Sequence, residues 1–329
     1  MRRPNADPRQ PRGTRLKPPP VSGTIRGQMV RAGSVITIEA PAKINLTLEI
    51  LGKRPDGYHE LRSIVMPISL TDTLSLTTTY AQVAMTVTVS PGVDLSKIGT
   101  VDRNLAVRAA RLMQERYRVN AGARIHIHKR IPIGGGLGGG SADAAGVIRG
   151  LDRLWGLERP CGELMELGAE LGSDVPALIH GGAVLMEGRG ERVRGLFAGE
   201  EPPRCEGFWL VIANPGVMCP TPDVFGKWRA GLTASPFIIH NMSSSIRTSD
   251  VSAAADALFN GLQQGVFENY PDVAQTATRL HGAGCLGVLL SGSGASVFGL
   301  ARDESHGQEI CRKLGSGLWH ALVRTCPVV

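Results

Sequence analysis

The chain has 329 residues, 42% hydrophobic and 20% charged, a globular composition long enough for one large or two moderate domains. No apolar run approaches the roughly 18 residues a membrane helix needs, and the arginine-rich start leads into no signal-peptide apolar core, so a soluble, cytoplasmic protein with no membrane partner is expected. Residues 1–33 hold eight basic residues and one acid, the whole of the formal net charge of +7, and the rest of the chain balances at 28 basic and 28 acidic residues, a folded body with no net pull on nucleic acid.

That first segment also carries Pro4, Pro8, Pro11 and the run Pro18-Pro19-Pro20 with almost no apolar periodicity, and it is expected to be a disordered tail. From Val35 to Ile50 apolar and polar residues alternate like a pair of short strands broken at Pro41. Pro55-Asp56-Gly57 is turn chemistry, and residues 61–70 read as a return strand. Residues 104–117 set Leu105, Ala109, Leu112 and Met113 on one helical face, with Asn104 suited to the N-cap. Residues 123–130 read as a strand with Ile125 and Ile127 on one side and His126 and His128 on the other. A His-x-His pair can bind metal, but no third ligand lies near in sequence, and an exposed or pocket-lining strand face is the simpler reading.

Ala144, Val147, Ile148, Leu151, Leu154 and Trp155 recur at helical spacing, with Ser141 as a candidate cap. A helix over residues 163–171 stops at Gly172. The second half begins near the loop of residues 196–207, and Gly207 to Ala213 give a buried-strand signal. Ser- and Thr-rich residues 233–252 read as a long exposed connection before a helix over residues 252–262. Helices and strands mix without regular alternation, so the expected class is α+β. The six cysteines fall in no C-x-x-C pair and read as buried or incidental thiols.

Between a strand and a helix lies Pro132-Ile133-Gly134-Gly135-Gly136-Leu137-Gly138-Gly139-Gly140-Ser141. Six glycines remove the side chains that would hold a ligand off the backbone, and successive N–H groups backed by the positive end of a helix suit a polyphosphate. The stretch contains Gly134-x-Gly136-x-x-Gly139, formally the dinucleotide fingerprint, yet the acid expected to end a second strand, Asp152, lies inside the helix. Walker A needs a Gly-Lys-Ser/Thr ending, and neither Gly52-Lys53-Arg54 nor Gly226-Lys227-Trp228 supplies one. A third class of phosphate loop is required.

On residue type alone, Asp174, between Gly172-Ser173 and Val175-Pro176, reads as an N-cap. Lys43 reads as a snorkelling edge lysine, Lys129 as a strand-end surface lysine as readily as a ligand, and Tyr58, His59 and Phe225 as local packing residues.

The glycine loop resembles that of the GHMP kinases. The set Ala40-Pro41-Ala42-Lys43-Ile44-Asn45-Leu46, Arg54-Pro55-Asp56-Gly57-Tyr58-His59, Leu171-Gly172-Ser173-Asp174-Val175-Pro176 and Ser291-Gly292-Ser293-Gly294 is similar to the branch acting on 4-diphosphocytidyl-2-C-methyl-D-erythritol, in order from about Val35 to the C-terminus. The resemblance implies a two-domain α+β fold: a tail over 1–33, an ATP-binding half like a ribosomal protein S5 second domain over 34–195, and a ferredoxin-like substrate half over 196–329. It implies ATP and Mg2+, with Asp174 as general base and Lys43 beside it. Adenine falls near Asn104 and Lys129, and triphosphate over Pro132 and Gly134 to Ser141. For the acceptor it implies Tyr58 and Phe225 stacking cytosine, His59 reading its edge, Asn45 positioning the methylerythritol, and Thr221 and Gly292 nearby.

Relatives carry serines where Gly139 and Gly140 stand, one of them a magnesium ligand, so no metal ligand is assigned. An Asn-Asp-Leu-Glu motif is here Asn260-Gly261-Leu262-Gln263 and receives no role. Monomer and homodimer both stay open. The runner-up activities are homoserine or mevalonate phosphorylation, which the Tyr58, His59 and Phe225 set argues against, and a non-catalytic RNA-associated protein using the basic tail. Because no motif lies in the tail, a chain starting near Met29 should keep wild-type turnover and Michaelis constants. A loss beyond about tenfold, about 1.4 kcal/mol in steady-state kinetics, would show that the tail takes part.

Overall fold

The computed structural model describes residues 22–25, 28–31, 33–80, 82–199, 206–229 and 236–326. The expected tail lies largely outside these; within it β1 (Ser22–Ile25) and β2 (Gln28–Arg31) pair as an antiparallel hairpin.

A larger sheet starts from β3 (Val35–Lys53), β4 (His59–Thr79) and β5 (Ala84–Val89). After α1 (Leu105–Tyr117) come β6 (Gly122–Lys129), α2 (Gly139–Leu154), α3 (Cys161–Ala169), α4 (Val175–His180), β7 (Val184–Gly188) and β8 (Arg192–Gly195). The chain continues through β9 (Trp209–Asn214), α5 (Thr221–Gly226), α6 (Ile238–Thr248), α7 (Val251–Asp256), β10 (Phe259–Asn260) and α8 (Gln263–Asn269). It ends with α9 (Pro271–Ala283), β11 (Val288–Leu290), β12 (Val297–Ala301), α10 (Glu304–Leu314) and β13 (Trp319–Arg324).

The larger sheet runs β10-β3-β4-β6-β5. The start of β4 also pairs with β7, and β7 with β8. The smaller sheet runs β11-β12-β9-β13, antiparallel throughout. Residues 34–195 thus supply most of the larger sheet and residues 196–329 all of the smaller one, while β10 crosses back to pair in parallel with β3. No helix among the described residues is long and apolar enough to cross a membrane.

The expected break at Pro41 is not observed. β3 is one continuous strand, and its register against β4 shifts between Pro41 and Lys43. Proline lacks the ladder donor, and a bulge absorbs it without ending the strand. The expected exposed connection at 233–252 contains α6 instead. Ile238, Met242 and Ile246, spaced four apart, are buried against the larger sheet's core, while Ser243, Ser245 and Thr248 donate to carbonyls four residues back. The helix expected over 252–262 stops at Asp256, because Phe259 and Asn260 are taken up by the edge of β3.

Asn104 caps α1 through its side-chain oxygen, which accepts from the Ala106 amide at 2.9 Å. Ile125 and Ile127 are buried, and His126 and His128 lie on the other face, bonded to Thr86, Thr88 and Ser90 at 2.9 to 3.0 Å. Two glycines one helical turn apart, Gly146 and Gly150, let α2 lie close on Ile38, Leu74 and Leu76. Trp155 and Met113 are fully buried in the same core, worth roughly 1.5 to 3 kcal/mol apiece relative to exposure. Burial pushes the Cys219 thiol up to about 11 and Cys285 up to about 12, so both stay protonated and inert at neutral pH.

Candidate active site

At the Pro41 bulge the Lys43 N–H leaves the β-ladder and donates to the Leu137 carbonyl of the glycine loop at 2.9 Å. Lys43 is buried, its side chain 5% exposed, which overturns the snorkelling reading. Its Nζ donates to Asn45 Oδ1 at 2.8 Å and lies 3.3 Å from Asp174 Oδ2. Asn45 Nδ2 donates to Ser63 Oγ at 2.8 Å, and Ser63 Oγ donates to the Thr47 carbonyl, so both ends of the carboxamide are tied. A buried ammonium without an anionic partner would be costly. Here Asp174 provides the charge.

Asp174 occupies the N-cap position of α4 but makes no cap hydrogen bond, and its own backbone is already helical at φ −86° and ψ −13°. The cap reading is therefore corrected. The carboxylate faces Lys43 and the open cleft, with 27% of the side chain exposed.

The glycine loop is shaped by contacts behind it as well as by any anion in front. Gly138 has φ +70° and is the residue from which α2 starts; Ser141 lies inside the helix, so the expectation that it caps α2 is wrong. A Cβ on Gly138 would come within 2.9 Å of Lys43 Cγ. Gly136, at φ +75°, has the Ser291 carbonyl directly against the place a Cβ would take and the Gly294 carbonyl 2.7 Å from it. Ser291 Oγ donates to the Gly136 carbonyl at 3.1 Å and the Ser296 amide to the Gly135 carbonyl at 2.9 Å. The first amides of the 16-residue α2 open into the cleft, the positive end of a helix at the loop.

That cleft, about 1060 Å³, brings together every residue expected in the site except Leu137. Lys43, Asn45, Asp174, Tyr58, His59, Asn104, Lys129, Thr221, Phe225 and Gly292 line it, together with Pro132, Gly134, Gly135, Gly136, Gly138, Gly139, Gly140 and Ser141. Leu137 is buried beneath and acts through its carbonyl.

Lys129 is not a surface lysine. It is 3% exposed, and its Nζ donates to Asp72 at 2.5 Å and to Asp143 at 2.7 Å. Burial works against its charge, but Asp143 and Asp72 outweigh that and hold the ammonium above its ordinary value. Asp72 also accepts the Arg130 and Ile131 amides at 2.6 and 3.0 Å. Asp143 is less well served: one of its oxygens has no partner, and burial, added to by Asp72, pushes it up to about 7. The cluster lies directly behind the loop, since a Cβ on Gly139 would be 3.4 Å from Lys129 Nζ.

On another wall His59 meets Phe225 at a 5.3 Å ring separation and Trp228 edge-on at 5.4 Å. Burial, helped by the charge of Lys53, pulls the His59 imidazole below its usual value, so it is neutral at pH 7. Tyr58 stands at the rim, 54% exposed, with the Arg189 guanidinium 5.2 Å over its ring. Thr221 Oγ1 and Ser293 Oγ are 3.0 Å apart, linking α5 to the Ser291–Gly294 turn.

Asp72, Asp143, Arg189 and Trp228 are among the lining or supporting residues that were not foreseen. Trp228 follows Phe225 by three residues and could have been paired with it. Asp143 follows the loop on the face of α2 that carries Ala144 and Val147, where an acid is out of place. The two others gave no local signal. Among the described residues no group of three His, Cys, Asp or Glu is arranged to hold a metal ion.

A two-sheet α+β fold whose glycine loop opens a helix beside a buried lysine and a partly exposed aspartate defines a GHMP-type small-molecule kinase. Residues 104–182 match the model of the GHMP kinases N terminal domain and residues 242–319 that of the GHMP kinases C terminal. The 4-diphosphocytidyl-2-C-methyl-D-erythritol kinase of Bacillus cytotoxicus is 40% identical over 82% of this chain and 89% of its own. That of Bacillus licheniformis is 42% identical over 83% and 90%. A crystal structure of 4-(cytidine 5'-diphospho)-2C-methyl-D-erythritol kinase superposes with a TM-score of 0.68 at 32% identity, covering 88% of this chain and 99% of that one. The chain belongs to the 4-diphosphocytidyl-2-C-methyl-D-erythritol kinase family.

Proposed function

We propose that this chain transfers the γ-phosphoryl group of ATP to the 2-hydroxyl of 4-diphosphocytidyl-2-C-methyl-D-erythritol, giving the 2-phosphate and ADP, in the cytoplasmic non-mevalonate route to isoprenoid precursors. The observation that carries this reading is the Lys43 and Asp174 pair, 3.3 Å apart, in a single cleft that also holds the glycine loop and the His59, Phe225 and Trp228 rings.

Asp174 takes the proton of the attacking hydroxyl, and its exposure to the cleft leaves it within reach of an acceptor. Lys43, 3.3 Å from that carboxylate, offsets negative charge growing on the hydroxyl oxygen and the transferred group. The triphosphate lies along the amides of Gly134 to Ser141, at the start of α2, with adenine toward Asn104. Lys129 acts from behind the loop, tied to Asp72 and Asp143. With glycine at 139 and 140, the side-chain oxygen on the loop is Ser141 Oγ. Ser141, which lines the cleft, would be the residue of this loop able to hold a magnesium ion brought in with the triphosphate. When bound, the ion neutralises polyphosphate charge.

Cytosine stacks within the aromatic group, and His59 reads its edge. Phe225→Ala or Tyr58→Ala should raise the KM for the cytidylyl acceptor by about 5- to 150-fold, the 1 to 3 kcal/mol of a stacked base, with the KM for ATP nearly unchanged. A neutral imidazole accepts a hydrogen from the cytosine amino group and a protonated one does not. Because the His59 pKa is lowered, acceptor KM should stay flat through neutral pH and rise only as pH falls below the ordinary histidine range. The uridine analogue, with a carbonyl at that edge, should be a poor substrate, and equal use of both would reject the assignment. A coupled ADP-release assay across the cytidylyl acceptor, mevalonate and homoserine tests the whole reading. Release with the first alone is expected, and comparable release with either other acceptor overturns it.

A further inference from the structure

The segment Asn260-Gly261-Leu262-Gln263, which acquired no role from the sequence, is a clamp on the active-site turn. Asn260 is 4% exposed and lies on β10, opposite Leu48 of β3, the strand that carries Lys43 and Asn45. The Gly261 amide donates to the Leu48 carbonyl at 2.9 Å, extending that pairing. From this fixed position both hydrogens of the Asn260 carboxamide are used: Nδ2 donates to the Leu290 carbonyl at 2.9 Å and to the Gly292 carbonyl at 2.8 Å. Its Oδ1 accepts the Leu262 amide at 2.9 Å, which fixes which end of the amide faces the turn. Gln263 completes the grip, Oε1 accepting the Leu290 amide at 2.9 Å. Only an acceptor oxygen is needed there, so glutamine does what a glutamate would. A Cβ on Gly261 would meet nothing closer than 3.5 Å, so no steric demand holds glycine at that position.

What is clamped matters. A Cβ on Gly292 would lie 3.3 Å from Lys43 Nζ, 3.4 Å from Asn45 Oδ1 and 3.3 Å from the Gly136 carbonyl. The same turn supplies the Ser291 hydroxyl and the Ser296 amide that hold the carbonyls of Gly136 and Gly135. One buried carboxamide thus references the second half's turn to the strand bearing Lys43 and, through the turn, to the phosphate loop. We propose that Asn260 is a positioning residue for phosphoryl transfer, clamping the Leu290–Gly292 carbonyls so that Gly292 abuts Lys43 and Asn45 while Ser291 and Ser296 fix the glycine loop. The proposal rests on the kinase reading above and assigns Asn260 no contact with substrate.

Asn260→Asp is close to isosteric but turns a carboxylate oxygen toward two carbonyls that now receive a donor. Asn260→Ala leaves both carbonyls unpaired, and Asn260→Ser keeps a single short donor. Turnover should fall in the order wild type, Ser, Ala, Asp, with the aspartate variant down by about 10- to 100-fold, the scale of a misplacement near 1 Å between reacting groups. The readout that bare structural support would not move is coupling: ADP released per acceptor phosphorylated should rise above one in the variants, as water replaces a misaligned hydroxyl. Melting temperature and ATP KM are measured on the same samples. If Asn260→Asp does not fold, the alanine and serine variants carry the same comparison. Variants with wild-type kcat and a coupling ratio of one, whatever their melting temperature, overturn the inference alone. Wild-type enzyme inert on the cytidylyl acceptor overturns the functional reading and the inference with it.

Discussion

Replacing Asp174 by Asn should lower kcat by about 10² to 10⁴, the usual contribution of a positioned general base. A fall in melting temperature accompanies it, because the change leaves the buried Lys43 ammonium without its anionic partner. Asp174 makes no cap hydrogen bond to α4, so the helix itself loses little, and asparagine keeps the side chain's size. Lys43→Met should behave similarly in rate, retaining the buried apolar stem while losing the ammonium that lies 3.3 Å from the carboxylate. Lys43 also donates to Asn45, so methionine leaves the Asn45 oxygen without its partner, and a stability loss of about 1 kcal/mol accompanies the loss of rate. Because base and cation serve one step, the double variant should be scarcely slower than the poorer single variant. Steady-state kinetics and thermal melts on the three variants check this. Near-normal turnover in Asp174→Asn, or rate losses that multiply in the double variant, would remove the mechanism.

The parts of this fold that depend on local chemistry were legible in the chain. Asn104 before a helical face, and glycines at 134, 136 and 138 where φ is positive, carry their reasons within a few residues. What depended on partners was not. Pro41 reads as a break because proline interrupts a ladder, yet pairing with β4 on both sides converts the break into a bulge, and the bulge turns the Lys43 amide to Leu137. The serines of α6 disguise Ile238, Met242 and Ile246, whose burial decides the helix. Lys43 and Asp174 are individually bland, a lone lysine in an apolar strand and an aspartate before a helix. Only resemblance joined them in advance, since no spacing rule links a strand near the start of the larger sheet to the N-terminus of α4. Asn260 shows the opposite limit: its motif was seen, but its departures at 261 and 263 left it without a role because motif letters do not say which atoms are used. The structure uses an oxygen of Gln263 and the backbone of Gly261.

Lys129→Met should be the most destabilising single change in the site. It removes the only cation of a cluster whose three side chains are 4%, 0% and 3% exposed, leaving Asp72 and Asp143 facing each other out of water. Breaking a buried ion pair from one side costs about 3 to 5 kcal/mol, which here corresponds to a fall in melting temperature on the order of 10 °C. The loss has a definite pH signature. Asp143 is already raised to about 7 in the folded protein by burial and by Asp72, against 3.8 for the ordinary carboxyl, and without Lys129 it rises further. A carboxyl with a raised folded pKa contributes stability that is present at low pH and lost as pH climbs through that value. The gap between variant and wild type should therefore be small near pH 5.5 and widen through pH 8. Adding Asp143→Asn to Lys129→Met takes away the second carboxylate while Asp72 keeps the Arg130 and Ile131 amides, so the double variant should melt closer to wild type than Lys129→Met does. A lysine whose whole role was to touch nucleotide would give another result: a raised KM for ATP, an unchanged melting temperature and no recovery in the double variant. Melting curves from pH 5.5 to 8 separate the two. A variant that melts with wild type at pH 8 would show that the cluster does not support the loop.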